Sequence, residues 1–322
     1  MVLALLIATF ISSALLTYAI RYFAHKKELL DHPNERSSHT VATPKGGGLA
    51  IMVSFYMVLT LLFFNAKIDT ELFLALLSGL PVLAISLIDD LYPLSSRLRF
   101  GVQLFSATAA LYFLGGVATL DFGLFSLHGI WLNLIALIGI IWITNLYNFL
   151  DGIDGYAASE ALFVGGAAYL LFGSDIALFL AVASGGFLLF NWDKASIFMG
   201  DVGSAPLGFI FAVLIVNDAG SVDFVAWLML LSLFWFDATY TLLRRAKRKE
   251  KLSEAHKKHV YQRLTQAGLS HSSVVLLAMA FNLLIFFILY LLPPETHLYL
   301  FILLVVSLYG VNRYIDTIKA FE

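Results

Sequence analysis

Acidic side chains stand at the ends of long apolar runs in this sequence, where carboxylates are costly to bury. Asp89 and Asp90 follow "LPVLAISLI" without a break, and Asp201 lies between glycines in "FMGDVGS". Neighbouring carboxylates repel each other, so the pair predicts either a bound cation or a raised pKa for one member. Mg²⁺ commonly takes one or two carboxylates together with phosphate oxygens. These residues therefore predict a site for a divalent cation and phosphate groups.

A second polar group ends another apolar run, in "NLYNFLDGIDGYA". Asn145, Asn148 and Asp151 are spaced three apart, so neighbouring members share a face if the segment is helical. A helix C-terminus would explain the two glycines that follow. It does not explain a ladder of polar side chains that enters an apolar segment. We therefore interpret this stretch as the lining of a ligand pocket.

Basic residues that could bind phosphate accompany the carboxylates. Arg97 and Arg99 either hold a lipid phosphate or set the topology, and the two interpretations are equally favoured. In "KGGG", Lys45 begins a run of glycines that either cradles phosphate or permits tight helix packing. In "HKKHVYQR", His256 and His259 are three apart and could both donate to a pyrophosphate. Two His residues without a third ligand do not predict zinc.

The region before this His pair contains a buried acid and a basic run. Asp237 lies inside an apolar segment, where it either pairs with Arg244 or Arg245 or faces the pocket. The basic run "RRAKRKEK" is explained by attraction to anionic lipid headgroups.

The elements that position these residues are transmembrane helices. Of 322 residues, 60% are hydrophobic and only 13% are charged, and the mean hydropathy is +0.86. A soluble domain has about a quarter charged residues. The apolar runs are continuous instead of alternating, which disfavours a barrel and predicts an all-α membrane protein. There is no Cys, which excludes disulfides and thiolate metal sites.

About eleven spans are predicted, and the first is expected to be a retained helix because no basic segment precedes it. Two of the spans, 174–190 and 204–217, are short enough to be re-entrant or buried in protein. The eleven spans lie near residues 2–20, 46–64, 71–88, 101–118, 130–147, 157–172, 174–190, 204–217, 222–243, 272–292 and 296–312.

The distribution of basic residues predicts the orientation. With eleven spans, every one of the 20 Lys and Arg residues except Lys67 falls on the same side. The positive-inside rule assigns that side to the cytoplasm, with the N-terminus outside and the C-terminus inside. We expect one membrane-embedded domain over residues 1–322. Its active site is predicted in the cytoplasmic loops 21–45, 89–100, 148–156, 191–203 and 244–271.

Four motifs on this predicted face resemble one family. The motifs "DDLYPLSSRLR", "NLYNFLDGIDG", "FMGDVGSAPLGF" and "FDATYTLLRRAKR…AHKKHVYQRLTQAG" are similar to those of the polyprenyl-phosphate N-acetylhexosamine-1-phosphate transferases, the glycosyltransferase-4-like membrane family. This family includes the phospho-N-acetylmuramoyl-pentapeptide transferases. The segment "HPNERSSHTVATPKGGG" resembles members that initiate O-antigen or capsule synthesis.

The resemblance implies roles for individual residues. Asp89 and Asp90 match the acidic pair near the lipid phosphate, and Asp201 matches the metal ligand for Mg²⁺ or Mn²⁺. Asn148, Asp151 and Asp154 match the nucleotide-side motif, and Phe198 is expected to stack on uracil. The predicted catalytic residues are thus Asp89, Asp90, Asp151 and Asp154, and the predicted substrate-binding residues are Lys45, Arg97, Arg99, Asn148, Phe198, His256 and His259.

The His-rich motif of the family is altered in this chain. Relatives carry H-x-H-H or three consecutive His, whereas the aligned stretch here reads His259, Val260, Tyr261 and Gln262. His256 is a candidate replacement for a lost partner.

The implied reaction transfers an N-acetylated amino-sugar 1-phosphate from a UDP-sugar to undecaprenyl phosphate and releases UMP. The expected partners are a UDP-N-acetylhexosamine, undecaprenyl phosphate and membrane lipids, with no nucleic acid, and a homodimer is compatible with the sequence. The expected location is the inner (plasma) membrane. The alternative function is a flippase or transporter of lipid-linked sugars, which should show broken helices near the midplane and an internal repeat. Neither feature is evident in the sequence.

Overall fold

A computed structural model describes residues 2–27, 30–31, 41–221, 223–252, 254 and 256–321 of the chain. These residues form fourteen α-helices, one 3₁₀ turn at Pro294–Thr296 and two small antiparallel sheets. The helices are α1 Val2–Lys26, α2 Gly48–Phe64, α3 Thr70–Leu77, α4 Leu80–Leu91, α5 Ser96–Phe113, α6 Leu132–Phe149, α7 Tyr156–Phe172, α8 Asp175–Asn191, α9 Asp201–Asn217, α10 Asp223–Leu230, α11 Ser232–Lys247, α12 Val260–Gln266, α13 His271–Leu291 and α14 His297–Ile318.

The all-α membrane fold is confirmed, since each predicted span lies on one of these helices or on a consecutive pair. Within the described ranges, five helical segments are long and apolar enough to cross a bilayer. The pair α10 and α11 adds a sixth if its 67° bend belongs to one broken span. Four apolar helices, α2, α7, α8 and α9, are shorter. The number of spans that cross the membrane and their orientation stay predictions.

Both sheets lie in segments that the sequence predicted as loops. Strand β1 (Leu30–Asp31) pairs with β2 (Thr43–Pro44), and β3 (Thr119–Asp121) pairs with β4 (Ser126–His128). The second pair is a hairpin whose tip contains two stacked rings, Phe122 and Phe125, with centroids 5.1 Å apart. Runs of two or three residues are too short to produce a readable alternation of polar and apolar side chains.

Helix α9 forms the centre of the bundle. Every residue from Val202 to Ile215 is buried, as expected for a helix that is apolar on all sides. The neighbouring helices α2, α4 and α6 pack around it. By contrast, α1, α13 and α14 expose large apolar side chains, such as Leu3, Leu276 and Tyr314, which suits contact with lipid. The short predicted span 204–217 is therefore enclosed by protein.

The first turns of α2 and α9 meet through two glycines. A Cβ at Gly203 would lie 2.6 Å from the Cα of Gly48, and a Cβ at Gly48 would collide with Gly203 in turn. Such contacts between small residues are the usual way for membrane helices to approach closely. The pair fixes the start of α9, where Asp201 lies, against the segment that carries Lys45.

Replacing Gly203 by Ala should therefore lower the thermal stability of the purified protein in detergent. The two backbones would have to separate, at a cost of about 1 to 3 kcal/mol. Gly139→Ala is the matched control, because a Cβ at that helical position meets nothing within 4 Å. The control should be neutral or slightly stabilising, since Ala favours helix over Gly. Equal unfolding midpoints for the two variants would contradict the close packing.

Candidate active site

Asp90, at the end of α4, joins that helix to the start of α9. Its Oδ1 accepts a hydrogen bond from the Asp201 N–H at 3.1 Å, and its Oδ2 accepts one from the Val202 N–H at 2.9 Å. The Asp90 carboxylate thus caps free N–H groups at the positive end of a helix dipole. Lys45 Nζ lies 2.7 Å from the same carboxylate. Gly200 has φ +77°, and a Cβ there would lie 2.6 Å from Asp90 Oδ2, so this turn requires glycine.

Asp89 has a basic partner of its own. Its Oδ1 accepts the Leu94 N–H at 2.6 Å, and its Oδ2 lies 2.7 Å from Arg99 Nη1. The same Arg99 nitrogen donates to Asp201 Oδ2 at 3.3 Å. The two arginines that sequence reasoning treated alike are therefore separated. Among the described residues, Arg97 is exposed and has no ion pair, whereas Arg99 bridges two of the three carboxylates.

From the residues that the structure describes, the side chain of Asp201 receives only long contacts. Arg99 and the Asn148 amide each lie 3.3 Å from its Oδ2, and Lys45 Nζ lies 4.0 Å from its Oδ1. Its side chain is 24% exposed, so its oxygens remain available to a ligand. Asn148 is held in place because its Oδ1 accepts the Ser204 hydroxyl at 2.8 Å. The predicted row of polar side chains does not stay together. The side-chain amide of Asn145 pairs instead with that of Gln103 in α5.

Charge and burial alter the protonation of two further groups in this cluster. Burial lowers the pKa of Lys45, but the negative charges of Asp201 and Asp90 outweigh it and raise the pKa overall. Asp151 lies in the loop after α6, where burial, with the charge of Asp201 second, raises its pKa to about 7. No hydrogen bond from the described residues reaches the Asp151 carboxylate. Within the described part of the chain, Asp151 is therefore a partly buried acid without a hydrogen-bond partner, close to other negative charges.

Asp154, the fourth predicted catalytic residue, faces a different set of neighbours. Its Oδ2 accepts the Ala195 N–H at 3.2 Å and lies 3.3 Å from His271 Nδ1. The potential ligand atoms of Asp154, Asp193 and His271 lie within 4.8 Å of one another. The structure thus brings Asp89, Asp90 and Asp201 together and gives Asp154 contacts outside that group.

The "KGGG" glycines serve close packing of the backbone. The N–H groups of Gly47 and Gly48 donate to the carbonyls of Phe198 and Met199, each at 2.9 Å. The Phe198 N–H in turn donates to the Pro44 carbonyl at 2.8 Å. Of the two interpretations of "KGGG", tight packing therefore applies to Gly47 and Gly48, because their N–H groups already donate to backbone carbonyls and are not free to bind phosphate. The half-buried Phe198 belongs to the loop that leads to Asp201, and its contact with uracil stays a prediction.

The two histidines of the basic segment lie side by side, with ring centroids 4.9 Å apart. His259 is buried, and its Nδ1 lies 3.6 Å from Asp237 Oδ1. Burial lowers the pKa of His256 to about 4, and the neighbouring His259 adds to the shift, so His256 is neutral at pH 7. His256 Nδ1 also accepts the Lys258 N–H at 3.2 Å. A neutral imidazole can still donate one hydrogen bond through Nε2.

The proposed pairing of Asp237 with Arg244 or Arg245 is wrong. Both Asp237 oxygens accept the first N–H of α12, at 3.0 and 2.9 Å. Arg244 forms a two-pronged pair with Asp316 of α14, at 2.9 and 3.0 Å, and Arg245 pairs with Glu250 at 3.0 Å. The first two arginines of "RRAKRKEK" therefore have partners within the protein, and lipid attraction is not needed to explain them.

Sequence reasoning did not identify several residues that hold these loops. They are Asn191, Asp193, His271 and Asp316, and each contacts a loop or helix distant in sequence. His271 gave little signal, because "LSHSS" has the composition of an ordinary helix start. Asn191 and Asp193 lie in the motif "NWDKASIFMGDVGS", in which Asp201 between two glycines gives the stronger signal.

Comparison with known proteins gives the family. The profile of glycosyl transferase family 4 matches residues 72–218. An undecaprenyl-phosphate alpha-N-acetylglucosaminyl 1-phosphate transferase of Thermotoga maritima is 30% identical, with 85% of this chain and 87% of the relative covered. A probable undecaprenyl-phosphate N-acetylglucosaminyl 1-phosphate transferase of Bacillus subtilis is 27% identical over 84% and 79%. A phospho-N-acetylmuramoyl-pentapeptide-transferase of Desulfitobacterium hafniense is 29% identical over 63% and 70%.

The helical membrane fold and these matches define a multi-pass membrane transferase. More particularly, the chain belongs to glycosyl transferase family 4, the polyprenyl-phosphate N-acetylhexosamine-1-phosphate transferases. The resemblance inferred from the four sequence motifs is confirmed.

The different environments of Arg97 and Arg99 predict different effects of their substitution on protein stability. In metal-free buffer, Arg99→Gln should lower the free energy of unfolding by about 1 to 2 kcal/mol, because it leaves Asp89 and Asp201 without their shared cation. Arg97→Gln is the control and should lie within about 0.5 kcal/mol of the wild type, as for surface substitutions in general. Thermal unfolding in detergent with EDTA measures both. If Arg99→Gln and Arg97→Gln lowered the free energy of unfolding equally, Arg99 would not hold the carboxylates together.

Proposed function

We propose that this protein transfers an N-acetylated amino-sugar 1-phosphate from a UDP-sugar to undecaprenyl phosphate. UMP leaves, and the product begins the synthesis of a lipid-linked cell-surface polysaccharide. The relatives support the acceptor and the class of sugar, because their names specify undecaprenyl or decaprenyl phosphate and N-acetylglucosamine or an N-acetylmuramoyl group. N-acetylglucosamine, N-acetylgalactosamine, N-acetylfucosamine and N-acetylquinovosamine are all candidate sugars.

The observation that carries the proposal is the convergence of Asp89, Asp90 and Asp201 with Lys45 and Arg99. Phosphoryl transfer needs mainly positioning and charge stabilisation. The two cations bind the carboxylates, as described above. Substrate phosphates would compete for the same cations, so the site can exchange internal ion pairs for contacts with the reacting groups.

The residues present fit a divalent cation such as Mg²⁺ or Mn²⁺. The donors are carboxylate and amide oxygens, which hard cations prefer, and the Asp201 oxygens have only long contacts. We propose that Asp201 holds the cation, with Asp89, Asp90 and Asn148 nearby. When bound, the cation would supply positive charge against the pyrophosphate.

The proposed chemistry is direct attack. An oxygen of undecaprenyl phosphate forms a bond to the sugar-linked phosphorus, and the bond from that phosphorus to the UMP oxygen breaks. A phosphate monoester has a second pKa near 6 and is already largely ionised at pH 7, so no strong base is required. Asp89 and Asp90 would position the acceptor or take a residual proton. Asn148 and Asp151 would lie on the nucleotide side, and Phe198 would stack on uracil.

We place the reaction at the cytoplasmic face of the inner (plasma) membrane. A water-soluble UDP-sugar would reach the site from the cytosol, while the lipid phosphate would arrive within the leaflet. The basic residues concentrated on one set of loops support this placement.

The function is tested by supplying purified protein, Mg²⁺ and undecaprenyl phosphate with a panel of UDP-N-acetylhexosamines. We expect release of UMP with at least one donor and none without the lipid phosphate. Failure with every donor would overturn the proposal. An aspartate that carries a covalent phosphate after rapid quenching would replace direct attack by a two-step route.

Asp201→Asn should keep the fold and reduce UMP release by at least about 100-fold, because the amide lacks the negative charge that would hold the divalent cation, and the cation would stabilise the developing phosphate charge. Asp175→Asn is the control, since Asp175 is an exposed residue in the first turn of α8. The control should retain wild-type turnover. The unfolding midpoint of each variant checks its fold, and substantial turnover by Asp201→Asn would exclude this residue as the essential ligand.

A further inference from the structure

Four side chains behind the candidate site form a connection between two loops, which we call the loop anchor: Asp154, Asn191, Asp193 and His271. One loop, residues 150–155, follows α6 and carries Asp151. The other, residues 192–200, follows α8 and leads directly to Asp201. The two loops are separated in the chain by α7 and α8, so their relative position depends on contacts made through side chains.

The first half of the loop anchor is Asp154 with His271. Asp154 Oδ2 accepts the Ala195 N–H of the second loop at 3.2 Å. His271 Nδ1 accepts the Asp154 N–H at 3.3 Å and also lies 3.3 Å from Asp154 Oδ2. Both contacts use the same ring nitrogen. His271 is the first residue of α13, so this helix also fixes the first loop.

The second half is Asn191 with Asp193. Buried Asn191 accepts the Gly155 N–H at 3.1 Å through Oδ1 and donates to the Ile197 carbonyl at 2.9 Å through Nδ2. It therefore bonds to both loops. Asp193 Oδ2 accepts the N–H of Ser272 at 3.2 Å and its hydroxyl at 2.8 Å, which binds the second loop to α13.

A metal ion is the competing explanation for two carboxylates and an imidazole this close together. The contacts argue against it. Asp154 Oδ2 already accepts a backbone N–H, Asp193 Oδ2 already accepts two hydrogen bonds from Ser272, and His271 Nδ1 already lies within bonding distance of Asp154. These hydrogen bonds satisfy polar groups of the fold, and they account for the closeness of the three side chains without an ion.

We propose that Asp154 and His271 are positioning residues that hold the loop of Asp151 against the loop of Asp201, and that Asp154 does not take part in the chemistry itself. This inference rests on the proposed transfer reaction and changes the role that the family motif suggests for Asp154. A displacement of about 1 Å at a reacting group can cost about 100-fold in rate. The loop anchor would therefore act on turnover through the relative position of two other carboxylates.

The first test uses the fact that Asn reproduces Nδ1 of a histidine and Gln reproduces Nε2. We expect His271→Ala and His271→Gln to lower kcat about 10- to 100-fold, with the KM values for both substrates within about 3-fold. His271→Asn should remain within about 3-fold of the wild type, because it keeps a polar atom at the Nδ1 position. His128→Asn, in the β4 strand, is the control histidine and should be fully active.

The second test separates positioning from chemistry at Asp154. Asn at this position can still accept the Ala195 N–H and can donate to His271, so Asp154→Asn should stay within about 5-fold of the wild type. Asp154→Ala should match His271→Ala, and the double Ala variant should be no slower than either single variant, because both substitutions break the same connection. The proposal would be overturned if Asp154→Asn lost as much activity as Asp201→Asn. It would also be overturned if the loss of kcat in the double Ala variant equalled the product of the losses in the two single Ala variants.

A third readout does not depend on activity. Hydrogen exchange of the backbone amides in residues 192–200 should be faster in His271→Ala and in Asp154→Ala than in the wild type, and normal in His271→Asn. Unchanged exchange and unchanged kcat in both Ala variants would overturn the loop anchor. If the wild type released no UMP, the proposed function would fail, and the exchange experiment would still decide whether the loop anchor exists. Unfolding midpoints identify any variant that has lost its fold.

Discussion

The site depends on holding three carboxylates close together at the ends of apolar helices. Asp89 and Asp90 are adjacent in the chain, and Asp201 begins the helix that Asp90 caps, so their charges repel at short range. Lys45 and Arg99 offset this repulsion, and Arg99 contacts two of the three groups with one nitrogen. These ion pairs stabilise the fold, and under the proposed function the same two cations would also bind substrate phosphate.

The position of Asp201 is set by packing as much as by charge. The buried helix α9 cannot shift without disturbing its neighbours on every side, and the contact between Gly48 and Gly203 fixes its first turn. The N-terminus of α9 faces the cluster, where its dipole favours negative charge. The Asp90 carboxylate uses the first N–H groups of the helix. The central helix α9 therefore forms the core of the bundle and also positions Asp201, the proposed cation ligand.

The sequence predicted the helices and much of the candidate site because both depend on composition. A carboxylate at the end of a long apolar run is unusual enough to be noticed, which identified Asp89, Asp90 and Asp201. It could not predict the direction of Asp154, since this residue lies in an irregular loop whose path depends on contacts with α13. It could not separate Arg97 from Arg99 either, because residues two apart on a helix face different directions and only the packing decides which one points inward. His271 carried no distinctive pattern at all.

The altered His motif has a structural explanation that bears on the chemistry. Tyr261 donates its hydroxyl to the Phe149 carbonyl at 3.1 Å, and any Cβ at Gly152 would collide with that hydroxyl. The Gln262 side chain accepts the His259 N–H at 3.2 Å. Of the two residues that replace histidine, Tyr261 therefore secures α12 to the end of α6 and the loop of Asp151, whereas Gln262 stabilises the first turn of α12 itself. Because His256 is neutral at pH 7, it would meet a phosphate as a neutral donor and not as a cation. Under the proposed function, positive charge against the pyrophosphate would then come from Lys45, Arg99 and the divalent cation.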